Sequence, residues 1–310
     1  MVSTWLNGLV SGTAVSPAGY FGGGSTGSPV ATVDRFAFPL DSRTTLGTGL
    51  TAGLQWLAGV ANSGAAGYFG GGTVGWSGPT AATVDKFAFA DDTRSTLGTG
   101  LSVARAYSAS MSNSGTAGYF AGGRTTGYVT TVDKFAFADD SRTTLGTGIS
   151  TATYALAGMA NSGTAGYTGG GYTGSRVTTV DKFAFSDDGR TTLGTGLSDG
   201  RNVLAGMANS GTAGYFAGGY NGSSSVTTVD KFAFSDDGRT VLGTGLSAGR
   251  NSPCGMANTG TAGYFGGGDD SGLTTTVDKF AFADDSRTTL GTGLSSAREG
   301  CGGFANETEI

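Results

Sequence analysis

The sequence predicts an all-β fold, a six-bladed β-propeller of four-stranded antiparallel blades, and three observations support it. The phrase Thr-Val-Asp-Lys-Phe-Ala-Phe occurs six times, with Arg35 in place of the lysine in the first copy. Each repeat contains strand-like segments separated by glycine-rich turns, and no segment has helical periodicity. A repeat of about fifty residues with such content is typical of propeller blades. The recurring aspartates lie 48 to 51 residues apart, at Asp34, Asp85, Asp133, Asp181, Asp230 and Asp278.

One repeat divides into four predicted strands. The first, 203–209, is small and apolar, as the crowded strand nearest a propeller axis should be. The second covers 214–219, and the third, 226–234, alternates apolar and polar residues and is rich in aromatics. A turn rich in aspartate and glycine leads to the outer strand, 240–246.

Two phenylalanines of the third strand, Phe232 and Phe234, lie two residues apart and therefore point to one face. The other repeats carry the same pair. Because both faces of a propeller blade pack against neighbouring blades, we expect these rings to fill the spaces between blades.

The spacing at the C-terminus predicts how the ring closes. Leu246 and Asn258 are twelve residues apart, and Leu294 and Asn306 keep this spacing at the end of the chain. The last segment is therefore expected to pair, as an innermost strand, with the strand that contains Tyr20.

The N-terminus offers a rival for this position, because Trp5–Leu9 resembles Trp56–Val60. Trp5, however, lies fifteen residues before Tyr20, whereas Trp56 lies twelve before Tyr68. We therefore expect an N-terminal arm over residues 1–15 and one propeller domain over residues 16–310.

The order Leu-Ser-x-x-Arg, Gly-Tyr-Phe-x-Gly-Gly and Thr-Val-Asp-x-Phe, from Leu246 to Phe280, resembles the kelch repeat, and nearly the whole chain shares this likeness. The resemblance implies a structural role for Arg105, Arg201, Arg250 and Arg298. Kelch units usually place tryptophan in the outer strand, where this chain has leucine. Those leucines are Leu46, Leu97, Leu145, Leu193, Leu242 and Leu290. More weakly, the near-identical repeats resemble propeller proteins of bacteriophages and environmental viruses.

Composition makes several classes of function unexpected. Charged residues make up 13% of the chain, the net charge is −5, and lysine and arginine do not cluster, so we expect no nucleic-acid partner. No apolar run is long enough for a membrane span, and no signal peptide is recognisable. Histidine is absent, which removes the commonest general base and zinc ligand. We predict no catalytic residues, no cofactor and no enzymatic activity.

Two groups of residues leave alternatives open. Asp187 and Asp188 could bind calcium, but the pair recurs in five repeats with arginine two residues later. We therefore interpret the pair as turn caps with local ion pairs and predict no metal site. Cys254 and Cys301 occupy nearly equivalent places in consecutive repeats and are either a disulfide or two small buried thiols.

The two ends of the predicted ring differ in sequence. The turns represented by 161–166 and 138–142 are nearly identical in all repeats, whereas the loops between second and third strands vary and lie on the opposite side. Variable loops on a rigid framework are common recognition sites, although unconstrained drift would produce the same variation. Trp76, in the longest loop, is the expected anchor. The candidate binding residues are Trp76, Arg124, Tyr128, Tyr172, Arg176, Tyr220, Asn221 and Asp269.

The function expected from these features is a non-enzymatic binding or assembly module that recognises a macromolecule, either a glycan or a protein. The viral likeness implies a place on a virion or another extracellular particle, and the N-terminal arm could engage an assembly partner. The alternatives are a glycan-acting propeller enzyme and a purely structural building block of a repeating assembly.

Overall fold

A computed structural model describes residues 16–76 and 78–306, and these residues form the predicted ring. Six antiparallel sheets of four strands make six blades, and the described residues contain no helix. In five blades the first strand along the chain lies next to the axis and the fourth forms the outer edge, and in the remaining blade the C-terminal strand takes the innermost place. The predicted fold class is therefore confirmed.

The strands are numbered in chain order. Blade 1 contains β1 (Ala18–Gly22), β2 (Val33–Ala37), β3 (Ser42–Thr45) and, as its innermost strand, β24 (Gly302–Asn306). Blade 2 contains β4 (Ala58–Asn62), β5 (Ala66–Gly70), β6 (Val84–Ala88) and β7 (Arg94–Thr96). Blade 3 contains β8 (Ala109–Asn113), β9 (Ala117–Ala121), β10 (Val132–Ala136) and β11 (Arg142–Thr144). Blade 4 contains β12 (Ala157–Asn161), β13 (Ala165–Gly169), β14 (Val180–Ala184) and β15 (Arg190–Thr192). Blade 5 contains β16 (Ala205–Asn209), β17 (Ala213–Ala217), β18 (Val229–Ala233) and β19 (Arg239–Val241). Blade 6 contains β20 (Cys254–Asn258), β21 (Ala262–Gly266), β22 (Val277–Ala281) and β23 (Arg287–Thr289).

The strands are shorter than the sequence predicted. In blade 5 the first strand begins at Ala205 because Val203 has a φ of 49°, outside the extended region. The second strand ends at Ala217 because Gly218 and Gly219 both have positive φ, a conformation that glycine adopts without strain. The outer strand pairs through only three residues and ends at Val241.

The C-terminal strand closes the ring as predicted. β24 pairs antiparallel with β1, with Tyr20 opposite Phe304 and Ala18 opposite Asn306. A disulfide between Cys254 and Cys301 joins the innermost strand of blade 6 to this closing strand, with the two Cα atoms 5.8 Å apart. The alternative of two free thiols is therefore wrong. The predicted N-terminal arm, residues 1–15, and residues 307–310 lie outside the described residues.

The core lies between the blades, in six apolar clusters of aromatic and aliphatic side chains. Phe232 is fully buried, and Phe234 stacks on Tyr167 of the preceding blade with ring centroids 5.3 Å apart. The predicted interblade role of the phenylalanines is confirmed. Burying one such ring contributes about 1.5–3 kcal/mol, and the contribution recurs around the ring.

The innermost strands approach each other so closely that glycine is required on them. A Cβ atom at Gly206 would collide with the carbonyl oxygen of Gly158, and one at Gly255 would collide with that of Gly206. The strands enclose an axial channel of about 220 Å³. The small residues of the first strand therefore follow from its position beside the axis.

The recurring arginines have the structural role that the kelch resemblance implied. Arg105 and Arg201 are fully buried, and each donates to an aspartate of its own blade, Asp133 and Asp230, at 2.8 Å. Burial lowers the pKa of these guanidinium groups, and the neighbouring carboxylate opposes the shift. Arg250 and Arg298 make equivalent pairs in two further blades.

Candidate functional site

The ring has two faces, which differ in what joins one blade to the next. The invariant face consists of the turns between first and second strands and between third and fourth strands. The divergent face consists of the loops between second and third strands and the links from each fourth strand to the next first strand. Loop and link meet there through single β-bridges, for example Gln55 to Thr73 and Ala106 to Arg124. The described residues of the divergent face fall within 23–32, 46–57, 71–83, 97–108, 122–131, 145–156, 170–179, 193–204, 218–228, 242–253, 267–276 and 290–301.

The aspartate pairs belong to the invariant face, where the first aspartate has the predicted capping role and the second does not. Asp187 caps its own turn by accepting the amide of Gly189 at 2.8 Å. Asp188 instead accepts the Tyr119 hydroxyl at 2.8 Å and the Lys134 ammonium at 2.7 Å, both from the preceding blade. The expected local ion pair with the nearby arginine is therefore wrong, because the second carboxylate reaches across the interface.

A tyrosine and an aspartate make the same contact at every interface between blades. Burial, followed by the hydrogen bond to the aspartate, raises the pKa of the tyrosine hydroxyl above its usual range, so the phenol stays a neutral donor. The pairs are Tyr20–Asp92, Tyr68–Asp140, Tyr119–Asp188, Tyr167–Asp237, Tyr215–Asp285 and Tyr264–Asp41. Across residues 16–76 and 78–306, no three His, Cys, Asp or Glu side chains are placed to hold a metal ion.

Nearer the axis, asparagine and serine side chains make further bonds between blades on the invariant face. The Asn113 side chain accepts the amide of Gly163 in the next blade at 2.8 Å. The Ser162 hydroxyl accepts the amide of Ser114 at 2.9 Å. The sequence of this face is repeated because its side chains are the groups that join the blades.

Backbone groups join the blades on the divergent face. Six residues around the axis form a closed ring in which each amide donates to the carbonyl of the equivalent residue in the preceding blade, at 2.5–3.0 Å. All six have positive φ, including Trp56 at 53° and Val203 at 49°. Since the backbone makes these bonds, the side chains can differ from blade to blade. The ring residues are Trp56, Tyr107, Ala155, Val203, Ser252 and Gly300.

A continuous row of aromatic side chains, the aromatic arc, crosses blades 2 to 5 on the divergent face. Trp76 lies edge-on against Trp56, with ring centroids 4.6 Å apart, and Trp56 stacks on Tyr107 at 4.2 Å. Tyr107 in turn meets Tyr154 at 5.5 Å. The arc comprises Trp76, Trp56, Tyr107, Tyr154, Tyr128, Tyr172 and Tyr220.

The arc continues through three tyrosines and an arginine. Tyr128 stacks on Tyr154 at 4.6 Å, and Tyr154 contacts Tyr172 at 5.7 Å. The Arg176 guanidinium lies 5.8 Å from the Tyr172 ring and 4.5 Å from the Tyr220 ring, so it connects the last two aromatics. Six of the eight predicted binding residues therefore lie in or on the arc.

The other two predicted residues occupy different surroundings. Asn221 lines an open cleft of about 650 Å³ together with Tyr172, Arg176 and Asp199, while its side-chain oxygen caps the loop 221–224. Asp269 belongs to blade 6, where its carboxylate accepts the amides of its own loop, and it lies apart from the arc.

Three members of the arc are not among the predicted binding residues. Trp56 was expected to begin an inner strand, but β4 starts at Ala58 and Trp56 lies in the link before it, only 6% exposed. Tyr107 and Tyr154 also lie in links rather than in the variable loops. All three occupy the two positions after the recurring arginine site, where no two repeats carry the same pair of residues. These pairs are Gln55-Trp56, Ala106-Tyr107, Tyr154-Ala155, Asn202-Val203, Asn251-Ser252 and Glu299-Gly300.

The divergent face is electrically asymmetric. Arg124 and Arg176 flank the tyrosines of the arc, and the Arg124 guanidinium lies 5.9 Å from the Tyr154 ring. The opposite part of the face carries Glu299 and Asp269. Burial raises the pKa of Glu299, Asp269 adds to the shift, and a hydrogen bond from Ser252 opposes it. One side of the face carries the arc with two arginines and Asp199, and the other side carries Glu299 and Asp269.

Comparison with known proteins identifies the fold. No family model matches the chain, and no curated protein matches it. Among solved structures, one titled "Structure of YjhT" superposes with a TM-score of 0.70 over 88% of this chain and 97% of that chain, at 14% identity. This likeness supports the propeller fold, which hosts unrelated functions. Among the described residues, no helix has the length and apolar character needed to cross a membrane.

Proposed function

We propose that this protein is a non-enzymatic binding module that recognises a glycan or a protein through the divergent face. The observation that supports this most directly is the aromatic arc. The aromatics found in every repeat are buried between blades, whereas no position of the arc is aromatic in all six repeats, and Trp76 is 75% exposed.

The surroundings of the arc suit recognition. Tryptophan, tyrosine and arginine are the residues that contribute most to binding interfaces, because they combine a large apolar area with polar groups. The backbone ring and the β-bridges of the loops and links hold every arc residue except Trp76 in place before any ligand arrives. A preformed site loses less entropy on binding than a flexible loop does.

The disulfide supports placing this module outside the reducing cytosol, on a virion or other extracellular particle, because disulfides persist in oxidising environments. The buried arginines and the paired glycines with positive φ support an assignment to the kelch-like repeats.

Screening on a glycan array, with mass photometry of the purified protein alongside, would find a ligand and detect self-assembly. Trp76→Ala should then weaken binding about thirtyfold, since an aromatic anchor contributes about 2 kcal/mol. Folding should be unchanged, because the Trp76 side chain is mostly exposed. The control is Asp187→Ala on the invariant face, which should leave affinity alone. If Asp187→Ala weakens binding and Trp76→Ala does not, the proposal has the wrong face.

A glycan-acting enzyme is the second candidate, and one observation favours it. Glu299, whose pKa is raised by burial, lies near Asp269 on the divergent face. A carboxyl group of raised pKa near a second carboxyl group is the usual machinery of glycoside hydrolysis. Incubation of any bound glycan with wild-type protein and with Glu299→Gln, followed by product analysis, tests this. Cleavage by the wild type alone would replace the binding proposal with an enzymatic one.

A further inference from the structure

The charges of the chain distinguish two arginines from all other cations. The sequence contains 18 lysines and arginines, every one among the described residues, and 16 of them form an ion pair with an aspartate. Arg124 and Arg176 make no ion pair with any described residue. Both lie on the divergent face and against the aromatic arc.

We propose that the ligand of the divergent face is an anionic oligosaccharide whose carboxylate or sulfate groups are bound by Arg124 and Arg176. This inference rests on the proposed function and specifies its ligand class. A guanidinium presents a planar fork of donors that matches a carboxylate or sulfate group, so two unpaired guanidiniums on one face provide two anion subsites.

Arg176 is oriented for this role by its neighbours. Its Nε donates to the Asn202 side-chain oxygen at 3.1 Å, and its guanidinium lies beside the rings of Tyr172 and Tyr220. These contacts fix the side chain but use only one of its donors. The remaining donors adjoin the 650 Å³ cleft, which Asn221 and Asp199 also line.

Arg124 has a comparable position on the other side of the same tyrosines. Its side chain is exposed, and its guanidinium lies beside Tyr154, whose ring is 5.7 Å from that of Tyr172. The two cations therefore flank one aromatic cluster. A chain molecule with regularly spaced charges could contact both arginines while its uncharged faces rest on the rings between them.

The chemistry of the face favours a sugar chain over an acidic protein. The cleft beside Tyr172 is lined by hydroxyl and amide side chains, including Ser175 and Asn221, and it is open rather than deep and apolar. Protein hot spots instead cluster in a fully desolvated centre. Here the centre of the face is occupied by the backbone ring, and Asp269 and Glu299 beyond it would repel an anion. An anionic chain should therefore follow the arc.

Calorimetric titration of the full chain with three hexasaccharides tests the proposal. The probes are hexagalacturonate, which carries carboxylates, a sulfated galactan hexamer and neutral galactohexaose. At least one anionic probe should bind about tenfold or more tightly than the neutral one, the difference expected for a charge-assisted hydrogen bond. Raising the salt concentration from about 50 to 500 mM should reduce this preference, because salt screens exposed charges.

The variants compare two pairs of arginines from the same two blades. Arg124→Gln with Arg176→Gln should abolish the preference for the anionic probe and its salt dependence. The control, Arg142→Gln with Arg190→Gln, removes the same charge from the outer strands. It should preserve the preference for the anionic probe and the salt dependence of that preference. Circular dichroism checks that each protein is folded.

Several results would overturn the inference. Equal binding of neutral and anionic probes, or equal losses in the two double variants, would show that the arginines do not select the ligand. In that case weaker binding by Trp76→Ala would still support the proposed function. Tighter binding of hexaglutamate than of either anionic sugar would point to an acidic protein instead. Failure of every probe to bind would overturn the inference together with the glycan part of the proposed function.

Discussion

The two faces of the ring use different groups for the same task. On the invariant face, side chains such as Asp188 and Asn113 bond to the neighbouring blade, so the sequence there must be repeated. On the divergent face, backbone groups make the bonds that recur between blades. The difference explains how one chain can combine near-identical architecture with six different surfaces. A face is free to vary where its backbone makes the bonds between blades.

A second set of backbone bonds strengthens this contrast. In every blade two glycines follow the second strand. The second of them donates its amide to a carbonyl of the link that leads to the next blade, at 2.7–2.9 Å in all six blades. Gly123 and Gly219 are examples, with φ of 108° and 94°. Glycine is needed there for its backbone conformation, and no other side chain takes part.

The largest expected effect comes from opening the ring, on which both faces depend. Deleting residues 300–310 removes β24 and leaves β1 with an unpaired edge. We expect a loss of about 5 kcal/mol or more, a large part of a typical folding free energy. Deleting residues 1–12 should change the melting temperature little. Thermal unfolding measures both, and equal melting temperatures would contradict closure by the C-terminal strand.

Among the described residues, the disulfide is the one covalent bond between side chains of different blades, and it lies near the divergent face. Replacing Cys254 and Cys301 by serine should cost about 4 kcal/mol, as expected for a closed loop with a separation of 47 residues. Urea unfolding with and without dithiothreitol measures this. The reductant should destabilise the wild type alone. If dithiothreitol lowers the free energy of unfolding equally in the wild type and in the double serine variant, the disulfide is not what stabilises the closure.

On the invariant face the two aspartates of one turn should differ. Asp188→Ala removes the partner of Tyr119 and Lys134 and should cost about 2 kcal/mol. Asp187→Ala removes only a turn cap and should cost about 1 kcal/mol or less. Asp188→Asn keeps a residue suited to the positive φ of this position, so its loss of stability should lie between those of the two alanine variants. Denaturant midpoints give the order, and equal losses would refute the interblade role.

The smallest effect is expected on the divergent face. Val203 is β-branched and has a φ of 49°, which is strained for such a residue. Val203→Gly keeps the backbone ring and relieves the strain, so it should leave stability unchanged or raise it by up to about 1 kcal/mol. Val203→Ala retains most of the strain and serves as the control. Clear destabilisation by glycine would mean that side chains, too, hold this face together.

The sequence predicted the ring, the blade number and the closing strand because these depend on spacing alone, as from Leu294 to Asn306. It also predicted the interblade role of Phe232, which every repeat shares. It could not predict the partner of Asp188, because Tyr119 lies 69 positions earlier in a different repeat. The aromatic arc was only half predicted for a similar reason. Tyr107 and Tyr154 become neighbours of the loop residues only when consecutive blades are placed side by side.

The tyrosine–aspartate contact is the same at all six interfaces, and this has a consequence for how such a chain can change. Each blade presents the same donor to its successor and the same acceptor to its predecessor. For this contact the blades are interchangeable, so a reordered ring would present a new divergent face and keep the same tyrosine–aspartate bond at each interface. Recombination between the repeats of such a gene could therefore rearrange the side chains of the divergent face while keeping this contact at each interface.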